Sequence, residues 1–320
     1  MQNKWLHDII ARIMLYEAIR DHLFAIMTYL WEKHDNRVLS GQKFPENIVE
    51  LPDIPYIPGG HKDHVLDVYY PAGIQGPFPA IINIHGGGFI YGDKWLNKIF
   101  CFNLAKKGFL IYNLNYRLAK NEVKVPDQIR DIIYAMDWIG NNIDSFSFDK
   151  SDTCSIDKNK IYLSGESAGA YLAVMAVLIS KSPRLQELFN INKMSISIKA
   201  LATISGFFEW PYRTMYAGLR SIILDKGFKK QQYYKDLIFK NIPEIEDLPP
   251  IFLTTNGNDM LKNMTFNFVE LLKKNNLEHR FAYLEKRKKR KFGHVFNVFY
   301  LDWEESKMLN NGMLEFLSRY

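Results

Sequence analysis

The chain is 320 residues long, 47% hydrophobic and 14% aromatic, with a formal net charge of +6 at pH 7. This composition supports one large buried core, and no repeat period and no long low-complexity tract is visible. Two cysteines, Cys101 and Cys154, exclude a disulfide framework and fit a reducing, cytoplasmic setting.

The first forty residues read as helix, with apolar residues at Trp5, Ile9, Ile13, Leu15, Ile19, Leu23, Ile26, Met27, Leu30 and Trp31. The longest nearly apolar stretch, Leu23–Trp31, is too short to span a bilayer. Acidic and basic residues precede it and no small-residue cleavage site follows, which argues against a secretory leader. Two readings of this helix stay open, a cap over a site or an interfacial membrane anchor; the cap is expected. Strands are expected at Val65–Tyr70, Pro79–Ile84 and Phe109–Leu114, with helices at Lys98–Lys107 and Asp127–Ile143. A short strand at Ile161–Leu163 leads through a turn into a helix, and Lys199–Ser205 is a further strand. Two more strands end at Thr255 and Leu284, and a helix at Asp302–Ser318 closes the chain. This alternation predicts a parallel sheet with right-handed crossovers. The stretch between Ser205 and Pro250 is too long for a simple connection and carries Phe207, Phe208, Trp210, Tyr212, Met215, Tyr216, Tyr233 and Tyr234. It reads as a lid or acyl-pocket wall; the alternative is a packed helical insertion with no substrate contact.

Three segments carry chemistry. Gly165-Glu166-Ser167-Ala168-Gly169 follows the Ile161–Leu163 strand and opens a helix, so it reads G-x-S-x-G at a strand-to-helix corner. Small neighbours let the chain turn sharply there, which pushes the Ser167 hydroxyl out of the sheet at a helix N-terminus. His85-Gly86-Gly87-Gly88-Phe89 follows the buried strand Ala80–Ile84. Three consecutive glycines are costly to order and suit a backbone that approaches a ligand, here an oxyanion bound by the N–H groups of Gly87, Gly88 and Ala168. The spacing is not G-x-G-x-x-G and no Lys-Ser/Thr follows, so a phosphate-binding turn is disfavoured.

A serine needs a base. For this arrangement the chain order is serine, acid, histidine, and only His279 and His294 follow Ser167. His279 precedes a strand, at the edge away from a site that belongs beyond the strands' carboxyl ends. His294 follows that strand after a loop and is the expected base. Asp259, in the loop after Pro250–Thr255, is the expected acid, orienting the imidazole and stabilising the imidazolium. The alternative for Asp259 is a helix N-cap.

Taken with Asn115-Tyr116-Arg117-Leu118-Ala119 and Gly257-Asn258-Asp259-Met260-Leu261, these segments resemble the α/β-hydrolase fold. More narrowly, they resemble the hormone-sensitive-lipase-like carboxylesterases, from about residue 65 to residue 318. The resemblance implies an eight-stranded, mostly parallel sheet flanked by helices. It implies serine ester hydrolysis on small-molecule esters, with no metal and no organic cofactor. The family's triad falls on Ser167, Asp259 and His294 and its oxyanion donors on Gly87, Gly88 and Ala168, with His85, Gly86, Gly165 and Gly169 as supporting motif positions. Residues 1–45 would be a helical cap segment and 46–320 the catalytic domain, with a lid insertion at about 206–247. Lys120-Asn121 stands where the family usually continues with Pro-Glu, and Ala170 where a second glycine is frequent.

The run Lys286-Arg287-Lys288-Lys289-Arg290-Lys291 accounts for the whole net charge. It reads as a solvated loop, with attraction of anionic membranes or acidic substrates as the second reading. Nucleic acid is not expected, because no aromatic residues interleave the run. The leading function is a serine carboxylesterase for short-to-medium acyl esters. An amidase or peptidase with the same triad, and a non-catalytic hydrolase-like binding protein, are the competing readings.

Overall fold

The computed structural model describes residues 2–120, 122–142, 155–192, 194, 196–210, 220, 222–224, 227–285 and 292–320, with backbone only for 2–16. Cys154, Tyr212, Met215, Tyr216 and the basic run Lys286–Lys291 lie outside the described residues.

Eight strands form one sheet: β1 (Ile48–Pro55), β2 (Val65–Pro71), β3 (Phe78–Ile84), β4 (Leu110–Leu114), β5 (Ile156–Glu166), β6 (Ala200–Ile204), β7 (Ile251–Asn256) and β8 (His279–Leu284). Their spatial order is β1-β2-β4-β3-β5-β6-β7-β8. β1 and β2 pair antiparallel, as do β2 and β4, and every later pairing is parallel. The expected eight-stranded, mostly parallel sheet is present. Parallel strands need helices on both faces, and alternate side chains go to opposite layers. On β3, Ala80, Ile82 and Ile84 pack with α3 (Val125–Asn142), α4 (Ala168–Lys181) and α5 (Pro183–Phe189). Ile81 packs on the other side with α2 (Lys98–Ala105) and with the C-terminal helix, numbered α8 below (Glu304–Leu317). α6 (Lys262–Lys274) joins the first of these layers and the short α7 (Phe296–Phe299) the second.

β1 adds to the strands expected from the sequence, and it contains Pro52 and Pro55, which interrupt the usual strand pattern. At a sheet edge a proline loses no ladder hydrogen bond, and a register shift between Leu51 and Ile54 absorbs the irregularity. The helix α5 was also unexpected; Ser182 caps it, its hydroxyl accepting from Leu185 N at 3.1 Å.

The N-terminal helix α1 runs Gln2–Leu39. From residue 17 onward Phe24, Met27, Trp31 and Asp35 face inward at helical spacing. Ile19, Leu23, Ile26 and Leu30 remain exposed. Among the described residues no helix is long and apolar enough to cross a membrane.

In the 206–247 segment the described residues form short 3-10 turns from Phe228 to Asp247. Most of its rings pack onto the body. Trp210 stacks on Phe89 at 5.7 Å, and both the Trp210 indole N–H and the Tyr171 hydroxyl donate to Leu237 O, at 2.9 and 2.8 Å.

The loop after β4 is anchored by a buried carboxylate. Asp131 on α3 accepts from Arg117 N at 3.0 Å, Nε at 2.9 Å and the guanidinium terminus at 2.7 Å, and pairs with His64 Nε2 at 3.1 Å. Burial works against its ionisation, but the hydrogen bonds from His64 and Arg117 outweigh that and hold its pKa below the usual range. Asp131→Ala is expected to lower unfolding free energy by about 3 kcal/mol, read from urea denaturation, because Arg117 loses its counter-charge and His64 its hydrogen-bond partner. A loss below about 1 kcal/mol would show that the anchor is dispensable.

Candidate active site

Ser167 occupies the corner between β5 and α4 at φ 54°, ψ −118°. A non-glycine residue there stores strain of order 1–3 kcal/mol. Two flanking glycines permit it. A Cβ at Gly165 would lie 2.4 Å from Gly169 O, and one at Gly169 would lie 2.2 Å from Ile84 O. The corner is tied to β6, since Ser167 N donates to Ile204 O at 2.9 Å and Phe207 N donates to Ser167 O at 3.0 Å.

His294 Nε2 lies 2.9 Å from Ser167 Oγ, and its Nδ1 lies 2.9 Å from Asp259 Oδ1. Both contacts are satisfied when Nδ1 carries the proton and donates it to the carboxylate, leaving the Nε2 lone pair to face the serine hydroxyl. Asp259 is fixed in turn: Leu261 N donates to Oδ1 at 2.8 Å and the Thr255 hydroxyl to Oδ2 at 3.2 Å. Desolvation would raise the Asp259 pKa, but hydrogen bonding and charge from His294 bring it below the usual range. For His294, burial favours the neutral ring, yet the bond and charge of Asp259, with Glu166 adding to them, leave its pKa above the ordinary value. Val295, the next residue, is β-branched and sits at φ 48°, a second strained position in the site. His279 begins β8, with its Nδ1 2.8 Å from Leu277 O, at the sheet's opposite edge.

The glycine loop folds over the edge that carries Ser167 and His294. Gly87 and Gly88 have φ of 94° and 59°, and a Cβ on Gly87 would fall 1.9 Å from Tyr91 O. Gly86 is small for another reason: its Cβ would lie 2.3 Å from the Glu166 carboxylate, to which its N–H donates. Tyr116 clamps the loop, its hydroxyl donating to His85 O at 2.8 Å while its ring stacks on the His85 imidazole at 4.4 Å. Burial pushes the His85 pKa down to about 4, so at neutral pH this ring is an uncharged packing group. Gly87, Gly88, Ser167, Ala168 and His294 all line one cavity of about 360 Å³.

Glu166, His34 and Asp35 carried no signal in the sequence, whereas Trp31 and Phe207 lie in segments expected to cap or wall the site. Glu166 is fully buried beside Ser167, and burial pushes its pKa up to about 7 against the opposing pull of His294 and the Gly86 N–H. Trp31, His34 and Asp35 reach the cavity from α1, while the described part of the 206–247 segment contributes Phe207. Glu166 also links pH to stability. An unfolded glutamate releases its proton near 4.5 and the folded one near 7, so the folded state binds more protons in between. Stability present below pH 4.5 is therefore lost as pH rises towards 7. Glu166→Gln cannot ionise and keeps an oxygen for the Gly86 N–H. It is expected to be more stable than the parent at pH 8 by about 3 kcal/mol and no more stable at pH 4, read from urea denaturation. An equal difference at both pH values would contradict this.

The BD-FAE family model matches residues 66–215. Isoprenylcysteine alpha-carbonyl methylesterase of Arabidopsis thaliana is 26% identical over 213 residues, covering 63% of this chain and 47% of that protein. Versiconal hemiacetal acetate esterase of Dothistroma septosporum is 32% identical over 122 residues, covering 38% of this chain and 34% of that protein. The chain thus spans about half or less of the length of these curated relatives. Esterase B of Lactobacillus rhamnosis superposes with a TM-score of 0.82 at 25% identity, covering 94% of this chain and 96% of that one. A phosphonate-inhibited form of the same esterase gives a TM-score of 0.81.

Proposed function

We propose that this chain, an α/β-hydrolase by fold that resembles the hormone-sensitive-lipase-like carboxylesterases, hydrolyses small carboxylic esters with Ser167 as nucleophile, His294 as base and Asp259 as the orienting acid. The observation that carries this reading is the double contact of one imidazole, 2.9 Å to Ser167 Oγ and 2.9 Å to Asp259 Oδ1. Ser167 Oγ attacks the ester carbonyl as its proton passes to His294 Nε2. The oxyanion is held by the N–H groups of Gly87, Gly88 and Ala168, the last at the positive end of α4. The C–O bond breaks, the alcohol leaves with the proton from His294, and an acyl-enzyme remains. Water, deprotonated by the same imidazole, releases the acid and restores the serine.

A cavity of about 360 Å³ stands at the small end of ligand sites and suits short-to-medium acyl esters. Residues 1–45 act as a cap in this reading, since α1 supplies Phe24, Met27 and Trp31 to the cavity wall. The phosphonate complex of esterase B supports the serine chemistry by likeness. The test is stoichiometric labelling by a fluorophosphonate probe, with mass spectrometry placing the adduct on Ser167. A p-nitrophenyl ester series from acetate to laurate is expected to peak at or below hexanoate. An unlabelled protein without ester turnover would reduce the fold to a binding role.

A further inference from the structure

We propose that the cavity selects esters bearing a positively charged amine, quaternary or protonated, over their neutral isosteres. This deepens the ester-hydrolase reading and rests on it. The chain carries a net charge of +6, yet among the described lining residues there is no lysine or arginine. The lining instead holds two carboxylates besides the triad, Asp35 and Glu166, and aromatic rings that include Trp31, Tyr91, Phe207, Tyr300 and Trp303.

Asp35 is the more telling of the two. It sits on a largely exposed helix but is only 8% exposed, turned into the cavity wall. The Tyr91 hydroxyl donates to its Oδ2 at 3.1 Å and His34 Nδ1 lies 2.9 Å from its Oδ1. Among the described residues neither Asp35 nor Glu166 pairs with a lysine or arginine. Both carboxylates line the same cavity; burial and the charge of Asp35 oppose ionisation of Glu166, which is only partly charged near neutral pH, and an incoming cation draws out its remaining charge. A sequestered carboxylate without a permanent counter-ion is costly to keep, and an incoming cation offsets that cost.

The rings complete the match. Trp31 and Tyr91 meet at 5.9 Å between centroids, and Tyr300 stacks on Trp303 at 4.3 Å. The Trp31 ring edge lies 3.5 Å from the position a Gly88 Cβ would take, so this wall borders the proposed oxyanion loop. Aromatic faces with a nearby carboxylate are the surroundings that hold alkylammonium groups. A neutral tert-butyl group of the same shape gains the apolar contact without the charge term. The same carboxylates repel the acid released by hydrolysis, which favours its departure, and they disfavour esters with an anionic acyl group.

The experiment compares kcat/KM for butyrylthiocholine and for 3,3-dimethylbutyl thiobutyrate, its uncharged isostere, following released thiol at low ionic strength. The expected preference for the cation is about 10-fold. Asp35→Asn and, as a second variant, Trp31→Leu are each expected to lower the ratio several-fold; a general loss of activity cancels in it. Tetramethylammonium is expected to inhibit p-nitrophenyl butyrate hydrolysis competitively and neopentyl alcohol to do so more weakly. A parent ratio at or below one, or turnover of p-nitrophenyl butyrate with neither thioester accepted, overturns the charge preference and leaves the esterase reading standing. Failure to turn over p-nitrophenyl butyrate as well overturns the esterase reading itself.

Discussion

Ser167→Ala is expected to lower kcat for p-nitrophenyl butyrate by about 10⁶-fold, as removal of the nucleophile does in other serine triads. The loss should appear in kcat with little change in KM, because the cavity walls contributed by α1 and Tyr300 are untouched. Folding should be preserved: Ser167 N bonds Ile204 O at 2.9 Å through the backbone, and the substitution leaves that bond in place. Near-parental circular dichroism with abolished turnover is therefore the expected pair of results. Retention of a tenth of the parental rate would sink the assignment of the nucleophile.

Asp259→Asn is the second large effect, a fall in kcat of about 10⁴-fold. Donors already stand on both carboxylate oxygens, Leu261 N at 2.8 Å on Oδ1 and the Thr255 hydroxyl at 3.2 Å on Oδ2. With its oxygen towards His294, an asparagine preserves the tautomer but removes the charge that stabilises the imidazolium. With its NH₂ towards His294, it also forces the proton onto Nε2, where it blocks proton removal from Ser167. The pH profile gives an independent check. Asp259 raises the pKa of His294, and the base works only when neutral. The acidic limb of kcat/KM should therefore move to lower pH in this variant. A limb that stays in place, or moves upward, would mean that Asp259 does not govern the imidazole. The stability sign is consistent. In the parent the raised His294 pKa contributes stability present below pH 6.5, lost as pH rises through the folded value, and the variant should lose part of it.

Much of this arrangement was legible before any coordinates. A buried β-branched run followed by three glycines, and G-x-S-x-G after a strand, are local statements: the backbone must turn, and few residues allow it. The excluded Cβ positions at Gly165, Gly169 and Gly87 give the steric reason in each case. The preference for His294 over His279 rested on strand polarity. Edge strand β1 is not legible in the same way, since its two prolines interrupt the strand pattern and only an edge position accommodates them.

The rest was decided by meetings between distant segments. Glu166 is an unremarked position in its motif until Gly86, eighty residues away, donates to it. Asp131 looks like any acid on a helix until Arg117 and His64 converge on it. Trp31 belongs to the apolar stripe of the expected cap helix, but nothing in the sequence shows that Asp35, one turn further on, faces the same cavity. Sequence determined the sheet, the strained corner and the order of the reactive groups, because those follow from short-range sterics and from the two- and 3.6-residue periods. Only tertiary structure set the ionisation of Glu166 and the character of the cavity wall, because burial and field arise from which remote chains pack together.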